Sequence, residues 1–446
     1  MSIVQSNKLF ACGSNGNGQL GIGTFEDTNL PTACKFLITN QEFYANLEST
    51  LDSLETKPKI ITGGGNHSAI ITSSGELWMS GLNNDGQCGV ASEERIQGES
   101  FQLKLKSDIF RKVEVFGEHE ISQWKFVSCG WNFSLAVENE NGYIYSFGKG
   151  AFGELGCGES VKETGGRGIR IKGVEGVEKV ACGLRHVICL NKKGNCFGWG
   201  SNKFGQLTKF DKDNVIVEEN NKSVRRKKKN IFFDPIRIFL DLDLRVIDVA
   251  CGQYHTVLLT HDGKIFTFGL NKYGQLGYDS PAKVQFSDIP KNIEHVSISR
   301  VKSIHCGWNN TIVMCEDGKL FICGRNDHGQ CGKNNPKNEN ERTDLNYWMD
   351  NPVPLYYLPQ HLILDDKFEI EECVCGSEHS LIVSKLGECL SWGWNEHGNC
   401  GVGDNENRWQ PVKVKINNAT VNKVGGGCGN SWIWIQNASK SLVAEG

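Results

Sequence analysis

The stretch Phe10–Gly23 reads FACGSNGNGQLGIG, and Gly16, Gly18 and Gly21 stand in the G-x-G-x-x-G order of a dinucleotide-binding loop. The competing reading is a tight turn. A phosphate loop needs a helix whose N-terminus faces the phosphates, yet the chain continues as TFEDTNLPT (Thr24–Thr32), which is polar and helix-poor. The stretch also recurs. Seven related segments run over Leu9–Gly21, Leu77–Gly89, Ile144–Gly156, Cys196–Thr208, Ile265–Gly277, Leu320–Gly332 and Cys389–Gly401. Only the first keeps all three glycines; Asn84, Ala151, Lys203, Lys272, Asp327 and Glu396 replace Gly16 elsewhere. What persists is an apolar strand, a glycine, a polar turn and a segment close to Gly-Gln-Leu-Gly, which is the signature of a repeated turn.

A second element alternates with the first. It has the form V-x-x-G-x-x-H-S followed by apolar residues, over Ile60–Thr72, Phe126–Val137, Val180–Leu190, Val249–Thr260, Ile304–Cys315, Cys373–Ser384 and Val424–Ile435. In six units its glycine precedes the glycine of the next strand by 17 or 18 residues, as in Gly64 to Gly81. Turn pairs such as Ser74-Gly75, Asp262-Gly263 and Asp317-Gly318 lie between, so each unit is expected to hold a β-hairpin of fixed length. The glycine content, 52 of 446 residues, agrees with many tight turns.

A single unit cannot bury both faces of its sheet, and a closed ring leaves no face bare. The chain begins with the first element and ends with the second. The expected fold is therefore all-β: a seven-bladed β-propeller closed by pairing of the N- and C-terminal strands. It is expected to span 1–446 as one domain, with a basic insertion at 208–243 and a long inter-blade insertion at 333–369.

These repeats resemble those of the regulator-of-chromosome-condensation family of seven-bladed propellers, from Lys8 to Ile435. SWGWNEHGNCG (Ser391–Gly401), VGGGCGNSWIWI (Val424–Ile435), CGWNFS (Cys129–Ser134) and GSEHS (Gly376–Ser380) resemble its fungal alpha-tubulin suppressor, or killer-toxin-insensitivity, branch. That resemblance implies a non-enzymatic scaffold in cytoplasm and nucleus, without a cofactor of its own. It implies a heterodimer with a small CSL-type zinc- or iron-binding electron carrier. It further implies support of Elongator-dependent tRNA wobble-uridine modification and of diphthamide synthesis. The insertions are longer than that branch leads one to expect.

The alternative is the founding family's activity, nucleotide exchange on the small GTPase Ran. The match to its wedge segment is weak, because Phe110-Arg111-Lys112 lacks the following Asp and Gly turn, and no basic tail precedes the repeats. A substrate-recognition role in a ubiquitin ligase would need a separate catalytic partner, since eleven residues follow Ile435.

Composition narrows the classes further. A formal charge of −4 gives no global attraction to nucleic acid or anionic membrane. No secretory signal or apolar run of membrane-spanning length is visible. There is no C-x-x-C among the 18 cysteines, which argues against zinc and thioredoxin motifs and for reduced intracellular thiols. Cys129, Cys182, Cys251, Cys306 and Cys375 share one repeat position and read as small apolar filler.

His67, His186, His255 and His379 also share one position. A ring sets equivalent positions apart, so they are expected to hydrogen-bond backbone between blades, with no metal. Large aromatics in loops are the interface candidates. Partner-binding residues are expected among Trp131, Asn132, Trp308, Asn309, Glu378, Trp394, Glu396, His397, Trp409 and Trp432. No catalytic acid/base pair, nucleophile elbow or metal-ligand set is found. The run Arg225, Arg226, Lys227, Lys228 and Lys229 reads as a solvated loop, with nuclear import or RNA contact as the functional alternative.

Overall fold

The computed structural model describes residues 2–38, 57–89, 106–113, 121, 123–208, 230–238, 244–278, 285–293, 298, 300–333, 355–365, 367–416 and 419–436. The basic run, and most of both insertions, lie outside the described residues. Every regular element described is a strand. The seven sequence repeats become seven four-stranded units. Units 1 to 6 run over Pro58–Lys112, Trp124–Arg170, Val177–Ile238, Val246–Asn292, Val301–Leu362 and Ile370–Lys413. Unit 7 combines Thr420–Gly426 and Asn430–Gln436 with Ser2–Gly13 and Thr28–Ile38.

The termini do pair. Leu9 lies opposite Trp434, Ala11 opposite Trp432 and Gly13 opposite Asn430, all antiparallel. Ser2–Gly13 also pairs with Thr28–Ile38, so the first strand of the chain sits inside a sheet whose other half is the chain's end.

The expectation of seven separate blades needs correction, because hydrogen bonding groups the strands into six sheets. Units 2 to 6 are separate four-stranded sheets, whereas units 7 and 1 share one closed eight-stranded sheet. The joins are short parallel contacts: Phe36 with Phe110, Leu37 with Arg111, and Gly426 with Thr62.

The core explains why the units assemble. Each apolar cluster straddles two consecutive units. Leu135, Val137 and Leu155 of unit 2 pack with Val187, Cys189 and Trp199 of unit 3. Leu9, Ala11 and Trp432 of unit 7 pack with Ile61, Ile70 and Phe110 of unit 1. The second strand of a unit, such as His255–Thr260 or His379–Ser384, is buried along its whole length. Such a strand shows no in/out alternation because both of its faces are covered.

Candidate functional site

The repeated Gly-Gln-Leu-Gly turn closes on itself. Asn15 Oδ1 accepts the Leu20 amide at 3.0 Å, and Asn83, Asn202, Asn271, Asn326 and Asn395 make the same bond at 2.8–3.0 Å. Gln19 Oε1 accepts the Asn17 amide at 2.9 Å, while the Gly18 and Gly21 amides bond to Asn15 and Gly18 carbonyls. These amides are already engaged, and no helix follows, so this geometry is a turn and not an anion cradle.

Each turn meets the loop after its own V-x-x-G strand. Leu82 N–H donates to Asn66 O at 2.8 Å, Arg325 N–H to Asn309 O at 3.0 Å and Trp394 N–H to Glu378 O at 2.9 Å. The two sets of loops therefore share one face. At its centre lies a cavity of about 730 Å³.

Seven of the expected partner-binding residues line this cavity: Trp131, Trp308, Asn309, Glu378, Trp394, Glu396 and His397. Trp131 and Trp308 come from units 2 and 5, which are not neighbours in the chain order, yet their ring centroids are 5.7 Å apart. Trp394 packs edge-on against His397 at 5.2 Å, and His397 Nδ1 lies 2.7 Å from Asp27 Oδ2 of unit 7. Asn132 is half-buried and is not part of the lining. Trp409 sits on the outer strand Arg408–Lys413, close to Gly329. Trp432 lies elsewhere altogether: it is fully buried in the cluster joining units 7 and 1, where it helps hold the ring closed.

Sequence reading named Glu378 but missed its charged neighbours Arg325 and Asp327 at the cavity wall. Arg325 pairs with Asp327 and lies 3.6 Å from Glu378. Glu378 is buried and also accepts from Asn309 Nδ2 at 3.2 Å and Gln330 Nε2 at 2.8 Å. Burial raises its carboxyl above the ordinary range, while Arg325 and the two amides pull the other way. The turn residues themselves carried a signal for this polarity. Units 3 and 4 place Lys203-Phe204 and Lys272-Tyr273 in the turn, where units 5 and 6 place Asp327-His328 and Glu396-His397. Tyr273, Lys272 and His328 also line the cavity.

The four repeated histidines bridge units, though through a hydroxyl. Nε2 of His67, His186, His255 and His379 lies 2.7–3.1 Å from Ser134, Thr256, Thr311 and Ser431 of the following unit. Each of those hydroxyls donates to the carbonyl of the Gln or Asn in the preceding turn: Gln87, Gln206, Gln275 and Asn399, at 2.7–2.8 Å. The hydroxyl hydrogen is thereby spent, so Nε2–H is the donor to the hydroxyl oxygen. Burial lowers these imidazoles from 6.5 to about 4, 3, 3 and 4 in chain order.

Fold and repeat together define a ring of β-units presenting one loop face, the architecture of a propeller. The chain belongs to the RCC1-like domain family, whose pattern matches residues 8–433. Among its relatives, the mouse secretion-regulating guanine nucleotide exchange factor is 29% identical over 95% of this chain and 82% of its own length. The bovine protein of the same name is 30% identical over 93% of this chain and 80% of its own length. Among solved structures, Saccharomyces cerevisiae Prp20p, described with its binding to Gsp1p and histones, superposes with a TM-score of 0.72. It is 21% identical, with 98% of this chain and 93% of that chain covered.

Proposed function

We propose that this chain is a non-enzymatic interaction scaffold whose loop-face cavity receives a segment of a protein partner. We read the shared eight-stranded sheet as two blades stitched by short parallel contacts, so that residues 1–446 form one seven-bladed propeller. The observation that carries the interaction reading is the convergence of Trp131, Trp308 and Trp394 on one cavity. Aromatic side chains supply large contact area at little entropic cost and dominate interface energetics. The finer reading, a small CSL-type metal protein as partner with roles in tRNA wobble-uridine modification and diphthamide synthesis, rests on the sequence resemblance of Cys129–Ser134, Gly376–Ser380, Ser391–Gly401 and Val424–Ile435 alone.

The test uses the full chain and the separate variants Trp131→Ala, Trp308→Ala and Trp394→Ala. Each is expected to weaken partner capture by about 2 kcal/mol or more while circular dichroism and melting stay close to wild type. Normal capture by all three variants removes the cavity as the binding face. Capture of a CSL-type protein, read by mass spectrometry, separates the finer reading from a different partner.

Nucleotide exchange is the second reading, supported by the likeness to the mouse and bovine secretion-regulating guanine nucleotide exchange factors. Phe110-Arg111-Lys112, the nearest likeness to the family's wedge segment, lies in a strand paired with Trp78 and Met79, and Phe110 is fully buried. An exchange surface in this chain would therefore need other residues. Accelerated GDP release from a small GTPase at catalytic amounts of this protein would favour exchange over the scaffold.

A further inference from the structure

The turn position held by Gly16 in unit 7 is Lys272 in unit 4, Asp327 in unit 5 and Glu396 in unit 6. Lys272 and Glu396 both line the loop-face cavity. The other charged or titratable side chains of its wall are engaged. Arg325 meets Asp327 and Glu378, and Glu378 also accepts from Asn309 and Gln330. His397 meets Asp27, and His328 lies 3.9 Å from Asp327. Lys272 and Glu396 are exposed, and among the described residues neither charged group has an ion pair or a hydrogen bond. The Lys272 ammonium lies only over the ring of its neighbour Tyr273, at 5.2 Å. The cavity thus keeps two free charges of opposite sign, on different units. Asn309 adds an unused acceptor: it is buried, its Nδ2 donates to Glu378, and its Oδ1 has no partner among the described residues. Apolar surface comes from Trp394 and the Trp131–Trp308 pair. The Trp308 backbone is tied on both sides, its N–H donating to Ser377 O at 2.7 Å and its O accepting from the Gln253 N–H at 2.9 Å.

We propose that the partner segment received here carries one basic and one acidic side chain, the basic one seated at Glu396 beside Trp394 and the acidic one at Lys272. This rests on the reading of the cavity as the partner-binding face, and adds the chemistry of its occupant. Opposite charges on the segment gain at both walls, whereas a segment of one sign gains at one wall and is repelled at the other. A nucleic-acid strand, anionic throughout, meets that repulsion at Glu396, so the occupant is a peptide. Trp394 favours a guanidinium or ammonium beside Glu396, because the face of an indole attracts cations. Asn309 Oδ1 takes a donor from the segment, which relieves a buried acceptor of its missing hydrogen bond. The two poles also fix direction, since a segment entered backwards brings like charges together.

The test pans a phage-displayed library of random peptides on the full-length protein, with Trp394→Ala as the cavity control. Peptides that bind wild type and are lost on Trp394→Ala are expected to carry a basic and an acidic residue at a fixed spacing. The same library should lose its basic preference on Glu396→Lys and its acidic preference on Lys272→Glu. Both positions are exposed, so these variants are expected to fold, which circular dichroism checks. The leading peptide, synthesised and titrated by fluorescence polarisation, should bind Glu396→Gln about threefold more weakly than wild type. Replacing that peptide's basic residue with Gln should weaken binding to wild type alike, yet change little on Glu396→Gln. Cavity-dependent peptides of a single sign or of no charge preference, or preferences unchanged in both reversal variants, overturn the proposal and leave the partner-binding face standing. Peptides that bind Trp394→Ala as well as wild type, or a library that yields none, overturn that face and the proposal with it.

Discussion

The boundary between units 4 and 5 and the boundary between units 2 and 3 solve one problem with different chemistry. At the first, His255 donates to Thr311, which donates to the Gln275 carbonyl at 2.7 Å, and the Gln253 amide reaches Trp308 O at 2.9 Å. At the second, Phe133 stands in the histidine slot and Val187 in the hydroxyl slot. There the Trp199 indole N–H donates to the equivalent carbonyl, Glu154 O, at 2.8 Å. Trp392 likewise donates to Gln330 O at 3.0 Å between units 5 and 6, where Asn310 replaces the histidine. The constant is therefore the capped carbonyl and not the residue that caps it. A buried carbonyl left without a donor is costly, so each boundary must supply one.

Acid should break the histidine boundaries hardest. His67, His186, His255 and His379 are neutral in the fold and ionise near 6.5 when exposed, so their contribution is complete above that pH. Below it the unfolded chain binds protons that the fold excludes. Each histidine then removes about 1.4 kcal/mol per pH unit, until the folded values near 3 to 4 are reached. Urea midpoints measured from pH 8 down to pH 4 should fall steeply from about pH 6.5. A flat profile would mean these imidazoles are not held neutral by burial.

The indole boundaries are attacked singly. Trp199→Phe keeps most of the ring and removes the donor, leaving the Glu154 carbonyl without its cap. A loss of about 1–3 kcal/mol is expected, with little change in the acid profile. Trp392→Phe should behave alike, and chemical denaturation checks both. A smaller effect is expected from His255→Asn, because Asn310 and Asn430 already occupy that slot in other units. We expect about 1 kcal/mol at pH 8 and a shallower acid slope by one histidine's share. A substitution that leaves the acid slope unchanged would take His255 out of the relay.

These boundaries also show where sequence stops informing. The repeated glycines, turn asparagines and histidines were legible because each does the same local job in several units. The pairing of the termini followed from elements out of phase. Trp432 was not legible: its strand is buried on every described face up to Ile435, so no alternation separated core tryptophan from loop tryptophan. The hydroxyl partner of each histidine belongs to the next unit, 52 to 70 residues away, and only the closed packing reveals it. The joining of units 7 and 1 into one sheet rests on a few parallel pairs that no side-chain pattern encodes.

Unit 3 differs once more, and the smallest prediction lies there. The last position of the Gly-Gln-Leu-Gly turn is left-handed throughout, with φ of 68° at Gly21, 65° at Gly156, 73° at Gly277 and 67° at Gly401. In unit 3 that position is Thr208, with φ of 67°, and its carbonyl accepts from Asn202 Nδ2 at 3.0 Å. A β-branched residue is strained in this region because its Cβ crowds the carbonyl that follows, at about 1–2 kcal/mol. Glycine removes the strain but loses more chain entropy on folding, which offsets about half of the gain. Thr208→Gly should therefore stabilise the protein by about 0.5–1 kcal/mol, seen as a small rise in the denaturation midpoint. The same exchange read in reverse, Gly277→Thr, should destabilise by at least as much, since Ile293 already lies against that glycine. If Thr208→Gly lowers the midpoint instead, the buried threonine side chain contributes more in packing than its backbone strain costs, and unit 3 departs from its neighbours in the turn as well as at its boundary.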